Sequence, residues 1–185
     1  MFIQTEQTPN PVTLKFLPGR AVMAAGTADF RAPEAADRSP LAARIFAVEG
    51  VAGVFLGADF ISVTRDEGRD WQVLKPLILG AIMEHFTSGA PVVPEAADEG
   101  EEPPGEGEDD EVVTQIRDLL DTRVRPAVAQ DGGDIIFRRY ADGIVYLHLQ
   151  GACSGCPSST ATLKAGIENL LKHYIPEVRE VRPTE

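Results

Sequence analysis

The chain has 185 residues, 43% of them hydrophobic, and a formal net charge of −12, which is enough apolar material for one globular domain or two small ones. The charge is not spread evenly: residues 94–111, PEAADEGEEPPGEGEDDE, hold ten acids and no base, and the remainder sets 19 acids against 17 bases. No basic stripe flanks the acidic run, so nucleic acid is not an expected partner, and no apolar run approaches the ~20 residues that span a bilayer, so neither is a membrane.

The first unit, residues 1–92, opens with two short strands, FIQTE and VTLKFLP, separated by the turn Thr8-Pro9-Asn10-Pro11. Ser39 followed by Pro40 reads as a helix cap and first turn leading into LAARIFAVEG, with Gly50 as the stop. VAGVFLG and DFISVTR, joined around Gly57-Ala58-Asp59, read as a hairpin. A last helix begins near Asp70 and carries Leu74, Leu77, Ile78, Ala81, Ile82 and Phe86 at helical spacing. Pro76 fits that helix only in its first turn or at a kink. His85 stands alone beside the apolar stripe with no nucleophile to serve, which is the pattern of a structural histidine.

Residues 93–110 combine proline, glycine and like charge with few apolar side chains, and are expected to be an acidic, disordered and extended linker. The second unit, residues 111–185, starts with an amphipathic helix in which Val112, Val113, Ile116, Leu119, Leu120 and Val124 share a face. Pro126 kinks or divides it, and Gly132-Gly133 ends it. DIIFRRY and GIVYLHLQ form a hairpin through Ala141-Asp142-Gly143, with Ile135, Phe137, Val145, Leu147 and Leu149 inward and Tyr146 and His148 on the outer surface. A final helix carries Leu163, Ile167, Leu170, Leu171 and Tyr174 as its apolar stripe. The fold class is therefore α+β: two small α/β two-layer domains joined by the acidic linker.

Between the last strand and the last helix lies GACSGCPSS, residues 151–159, with the chain's two cysteines, Cys153 and Cys156. With Ser158 or Ser159 as helix cap, Cys156 falls at the positive end of the helix, where the dipole lowers a thiol's pKa below its free value of about 8.5. Gly155 lets the loop curl so that both sulfurs face one way, and the small Ala152 and Ser154 leave room for a bulky group. Three uses of such a pair stay open: thiol–disulfide exchange, a zinc site, or an iron–sulfur site. Structural zinc and cluster iron each take about four ligands, and one chain offers two thiolates with no histidine beside them. Metal binding thus predicts a homodimer sharing an exposed site at its interface, a geometry that suits a carrier.

The run from Asp131 through Val178, DGGDIIFRRYADGIVYLHLQGACSGCPSSTATLKAGIENLLKHYIPEV, resembles the C-terminal domain of NifU-type (Nfu) iron–sulfur scaffold and carrier proteins. The segments TEQTPNPVTLKFLPG and DWQVLKPLILGAIMEHF resemble the N-terminal domain that accompanies it. The resemblance implies a non-enzymatic protein in which Cys153 and Cys156 of two subunits bind a 4Fe–4S cluster, with 2Fe–2S as the other nuclearity. It further implies an upstream cluster scaffold as donor and apo iron–sulfur proteins, such as lipoyl synthase or aconitase-like enzymes, as recipients. The cysteine-desulfurase-binding and ferredoxin-like segments of full-length NifU are missing, which points to receipt and delivery rather than to sulfur mobilisation. The start MFIQTEQTPNP carries neither a secretory signal nor an Arg-rich transit pattern. The expectation is a bacterial cytoplasmic protein, or a mitochondrial matrix one if it is a processed eukaryotic form.

Overall fold

A computed structural model describes residues 2–94, 110–154 and 157–184, and in the last helix the side chains from Thr160 onward. The chain divides into two compact units, Met1–Gly100 and Glu101–Glu185. Most of the expected linker lies outside the described residues. Both units combine helices with a sheet, in agreement with the α+β expectation. Among the described residues no helix is long and apolar enough to cross a membrane.

In the first unit, strands β1 (Gln4–Gln7), β2 (Thr13–Leu17), β3 (Ala28–Phe30), β4 (Val51–Leu56) and β5 (Ile61–Arg65) form an antiparallel sheet of order β1-β2-β5-β4-β3. A 3-10 turn, Pro33–Arg38, precedes helix α1 (Pro40–Phe46), and α2 spans Trp71–Ser88. Ser39 caps α1 as expected: its Oγ accepts from the Ala42 amide at 3.2 Å and donates to the Val92 carbonyl at 2.5 Å, tying the end of the unit to the start of α1. Asp70 caps α2 by accepting from the Gln72 amide at 2.9 Å, and Gly89, at φ +72°, closes it.

Phe16, Phe30, Leu41, Ile45, Leu56, Ile61, Leu74, Ile78 and Ile82 fill the space between helices and sheet and are at most 2% exposed. Leu77 departs from the expected stripe and is 53% exposed, because it lies about a quarter-turn from the row through positions 74, 78, 82 and 85 that faces the sheet. His85 takes an inward place in that row and is fully buried, and desolvation followed by the charge of Arg44 lowers its pKa. Pro76 sits in the second turn of α2 rather than the first, and the helix runs on through it. Strand β3 and the 3-10 turn were not anticipated, since three residues are too few to show alternation.

The second unit begins with a helical run in three pieces: α3 (Asp110–Leu119), a π segment (Leu120–Val124) and α4 (Arg125–Gln130). The expected division at Pro126 takes this form, the wider π turns absorbing a residue that can neither donate a hydrogen bond nor fit beneath the preceding carbonyl. Gly132, at φ +81°, ends the run and turns the chain into β6 (Gly133–Ala141). Asp142 and Gly143, at φ +52° and +77°, then make the tight turn to the antiparallel β7 (Ile144–Gly151), and two successive positive φ values are what a type I′ hairpin requires.

Helix α5 (Pro157–Tyr174) returns along the sheet, and β8 (Glu180–Thr184) pairs parallel with β7 to give the order β6-β7-β8. Strand β8 was not foreseen because it contains Pro183, a residue confined to edges, and it is an edge strand. Helix α5 starts at Pro157, one or two residues ahead of the serines expected to cap it. Ile167 and Leu171 are buried as expected, but Tyr174 is 46% exposed, with the Arg123 guanidinium over its ring. His148 is buried rather than on an open surface, with Nδ1 3.2 Å from the Thr184 carbonyl of the unforeseen strand.

Asp134, the second residue of β6, is 4% exposed and is gripped by Arg125: Nε donates to Oδ1 at 2.9 Å and Nη2 to Oδ2 at 2.8 Å. The Ile135 amide also donates to Oδ1, at 2.8 Å. This fork joins the start of α4 to the start of β6 and brackets the Gly132-Gly133 turn. Hydrogen bonding to Asp134 raises the pKa of Arg125 and keeps it charged. We predict that Arg125→Met destabilises the second unit by about 2–3 kcal/mol, below the full cost of orphaning a buried charge because Arg125 reaches solvent. Arg125→Met combined with Asp134→Leu should recover most of that loss. Urea unfolding read by hydrogen exchange in β6 checks both outcomes, and equal stability of the Arg125→Met protein and the parent would refute the assignment.

Candidate functional site

The site grows out of the end of β7. Gly133 and Gly151 face each other in the register of β6 and β7, and Gly151, at φ +64°, turns the chain out of the sheet. The Ala152 amide then donates to the Gly132 carbonyl at 3.2 Å, and Ser154 returns both its amide (3.1 Å) and its hydroxyl (3.0 Å) to the Gly151 carbonyl. From the other side Thr160, in α5, donates its hydroxyl to the Cys153 carbonyl at 3.1 Å. Cys153 is thereby held between the first strand of the sheet and the helix that follows.

Its thiol points inward. Cys153 is 7% exposed and belongs to the same core as Ile135, Leu149 and Ile167. A Cβ built on Gly133 would lie 2.6 Å from Cys153 Sγ and 2.7 Å from the Gln150 carbonyl, so the sulfur occupies space that any other residue at 133 would claim. This corrects the expectation of an exposed site with room around it for the cysteine that is described. Ala152, at 3% exposed, is packed as well. Cys156 and Gly155 lie outside the described residues, and the expectations resting on them, a low-pKa thiol at the helix end and a loop curled around both sulfurs, lie there too.

Burial pushes the Cys153 thiol up to about 12, with the nearby carboxylates of Asp131 and then Asp134 adding to the shift. All three causes act in one direction, since removal from water and neighbouring negative charge both disfavour a thiolate. Asp131 and Asp134, which flank the Gly132-Gly133 turn, therefore also set the electrostatics at the sulfur. Sequence reasoning missed Arg125, Thr160 and the packing role of Gly133. Only the i,i+4 spacing of Asp121 and Arg125, an ion pair at 3.1 Å, was there to be found. Among the described residues no group of three or more His, Cys, Asp or Glu side chains is placed to hold a metal ion.

The raised pKa has a fixed sign in stability. Below the ordinary thiol value near 9 both folded and unfolded chains carry the proton and the stabilisation is complete; it is lost as the pH climbs from about 9 toward about 12. In a Cys156→Ser protein, alkylation of Cys153 by iodoacetamide at pH 8 should run at least ~10-fold slower than that of an unhindered thiol and keep rising past the pH at which an ordinary thiol levels off. A plateau below pH 9 would contradict this account.

Comparison with known proteins covers both units. The family model described as scaffold protein Nfu/NifU N terminal matches residues 3–89, and the NifU-like domain model matches residues 116–182. A human protein named NFU1 iron-sulfur cluster scaffold homolog, mitochondrial, is 56% identical over 182 residues, spanning 98% of this chain and 71% of its own length. A protein of the same name from Drosophila ananassae is 52% identical over 98% of this chain and 63% of its own, so the chain spans less than two thirds of that relative. The solution structure of a NifU-like protein from Saccharomyces cerevisiae superposes with a TM-score of 0.46 at 26% identity, over 51% of this chain and 85% of that one. The relatives' names say mitochondrial and lend nothing to the expectation of a bacterial cytoplasmic protein. With a family model on each unit and these identities along nearly its whole length, the chain belongs to the Nfu/NifU family of iron–sulfur cluster scaffold proteins.

Proposed function

We propose that the chain is a non-enzymatic carrier that holds a 4Fe–4S cluster between two copies of itself, through Cys153 and Cys156 of each, and hands it to apo-proteins. The observation that carries this reading is the seat of Cys153. It is one of only two cysteines in a chain of a cluster-scaffold family, and its segment is tied to β6 on one side and to α5 on the other. Four-ligand iron and two thiols per chain are reconciled by a twofold assembly.

The high pKa of Cys153 supports a carrier over an oxidoreductase. A thiol pushed up to about 12 is almost wholly protonated at neutral pH, and thiol–disulfide exchange requires the thiolate. Binding the cluster costs that proton, so loading weakens as pH falls. The same cost favours release: when a recipient thiolate displaces Cys153, the sulfur regains its proton and the buried, neutral state it holds without cargo. Cluster transfer is then a stepwise exchange of thiolate ligands in which no oxidation of the protein takes part.

Residues 111–185 hold the cluster in this reading, and residues 1–92, which contain no cysteine, recognise the donor scaffold or the recipients. The relatives' names favour the mitochondrion as the compartment, where thiols stay reduced.

Two outcomes are expected. Anaerobic reconstitution with ferrous iron and sulfide should give a brown dimer, and Cys153→Ser or Cys156→Ser should each abolish the colour while leaving the far-ultraviolet circular dichroism unchanged. Iron and sulfide retained by either serine protein, or by a strictly monomeric parent, would sink the ligand assignment. Deleting residues 1–92 should leave cluster binding intact and slow delivery to at least one apo-protein recipient several-fold; unchanged transfer rates across a recipient panel would remove the recognition role.

A further inference from the structure

We infer that Thr160 is a positioning residue that holds Cys153 in place as a cluster ligand, an assignment that rests on the carrier reading above. Thr160 lies in the first turn of α5 (Pro157–Tyr174), yet its Oγ1 hydrogen bonds to a carbonyl seven residues back, that of Cys153 at 3.1 Å. On its other side the Cys153 segment is anchored to β6, through the Ala152 amide on the Gly132 carbonyl and the sulfur against Gly133. The Thr160 hydroxyl is thus the tie between the residue bearing this thiol and helix α5. A ligand held in a fixed position binds its cargo without first having to be ordered.

The hydroxyl does this in a way the methyl group cannot. Valine has the same shape and the same helix tolerance as threonine but no donor, so Thr160→Val removes the tie with little change in packing, and Thr160→Ser keeps it. Residues that orient metal ligands from behind typically cost 10–100-fold in affinity when lost. The full-length Thr160→Val protein, reconstituted with iron and sulfide, should lose its cluster to an iron chelator ~10-fold faster than the parent, and Thr160→Ser should restore the parental half-life. In the metal-free protein with Cys156→Ser, Thr160→Val should speed iodoacetamide alkylation of Cys153 several-fold, and Thr160→Ser should reverse that too.

A parental half-life and a parental alkylation rate in the Thr160→Val protein would overturn the assignment. So would a Thr160→Ser protein that behaves like Thr160→Val. If Thr160→Val cannot be purified folded, Thr160→Ala takes its place, and failure of both to fold would make the hydroxyl a folding determinant and overturn the positioning role. The two readings separate cleanly. Faster alkylation of Cys153 in a protein that binds no cluster, parent included, would uphold the tie and refute the carrier, whereas a cluster lost in Cys153→Ser but unchanged in Thr160→Val would do the reverse.

Discussion

The second unit depends on one contact, the Cys153 sulfur against the bare backbone of Gly133, where an added Cβ would come within 2.6 Å. That contact lets the end of β7 fold back over the start of β6, and it exists only because position 133 has no side chain. Three other features converge on it. Gly132 turns α4 into β6, the Arg125–Asp134 fork locks that turn, and Thr160 reaches back from α5 to the cysteine's own carbonyl. Each ties a different element to one short stretch of chain, and together they make the cysteine segment part of the core.

Burial has an electrostatic consequence that separates this site from a reactive thiol. A cysteine used for nucleophilic attack is kept near positive charge and water, which lower its pKa. Cys153 has the opposite surroundings, an apolar core and two carboxylates, and is pushed up to about 12. In a permanent metal centre that would waste affinity. On the carrier reading proposed above it narrows the gap between loaded and empty states, because the empty state has a protonated thiol to return to.

The first unit has a different character. Its sheet and two helices enclose a well-packed core, and its polar devices are spent on architecture: Ser39 holds both α1 and the Val92 carbonyl, and the side chains of Thr8 and Asn10 brace the turn between β1 and β2 through hydrogen bonds to its backbone. His85, buried with a lowered pKa, fits the same pattern of a neutral side chain packed for shape.

Much of this was legible in the residue order because the signals are local. Caps at Ser39 and Asp70, glycines after α2 and α4, the Asp142-Gly143 turn and the spacing of the paired cysteines all act within a few residues, and period and composition sufficed to name two α/β units and a thiol site. Strands β3 and β8 escaped because one is too short to alternate and the other holds a proline, so each is defined by its partner rather than by itself. Leu77 escaped because helical spacing marks a broad stripe without saying which edge of it turns toward the sheet. The chemistry at Cys153 was out of reach for a stronger reason. A thiol's pKa is decided by what surrounds it, and the carboxylates of Asp131 and Asp134, the void at Gly133 and the hydroxyl of Thr160 meet there only when β6, β7 and α5 are packed. The sequence alone determined that the chain has two thiols three positions apart; tertiary structure alone decided that Cys153 is buried and held protonated, because burial and through-space charge depend on distances that chain order does not contain.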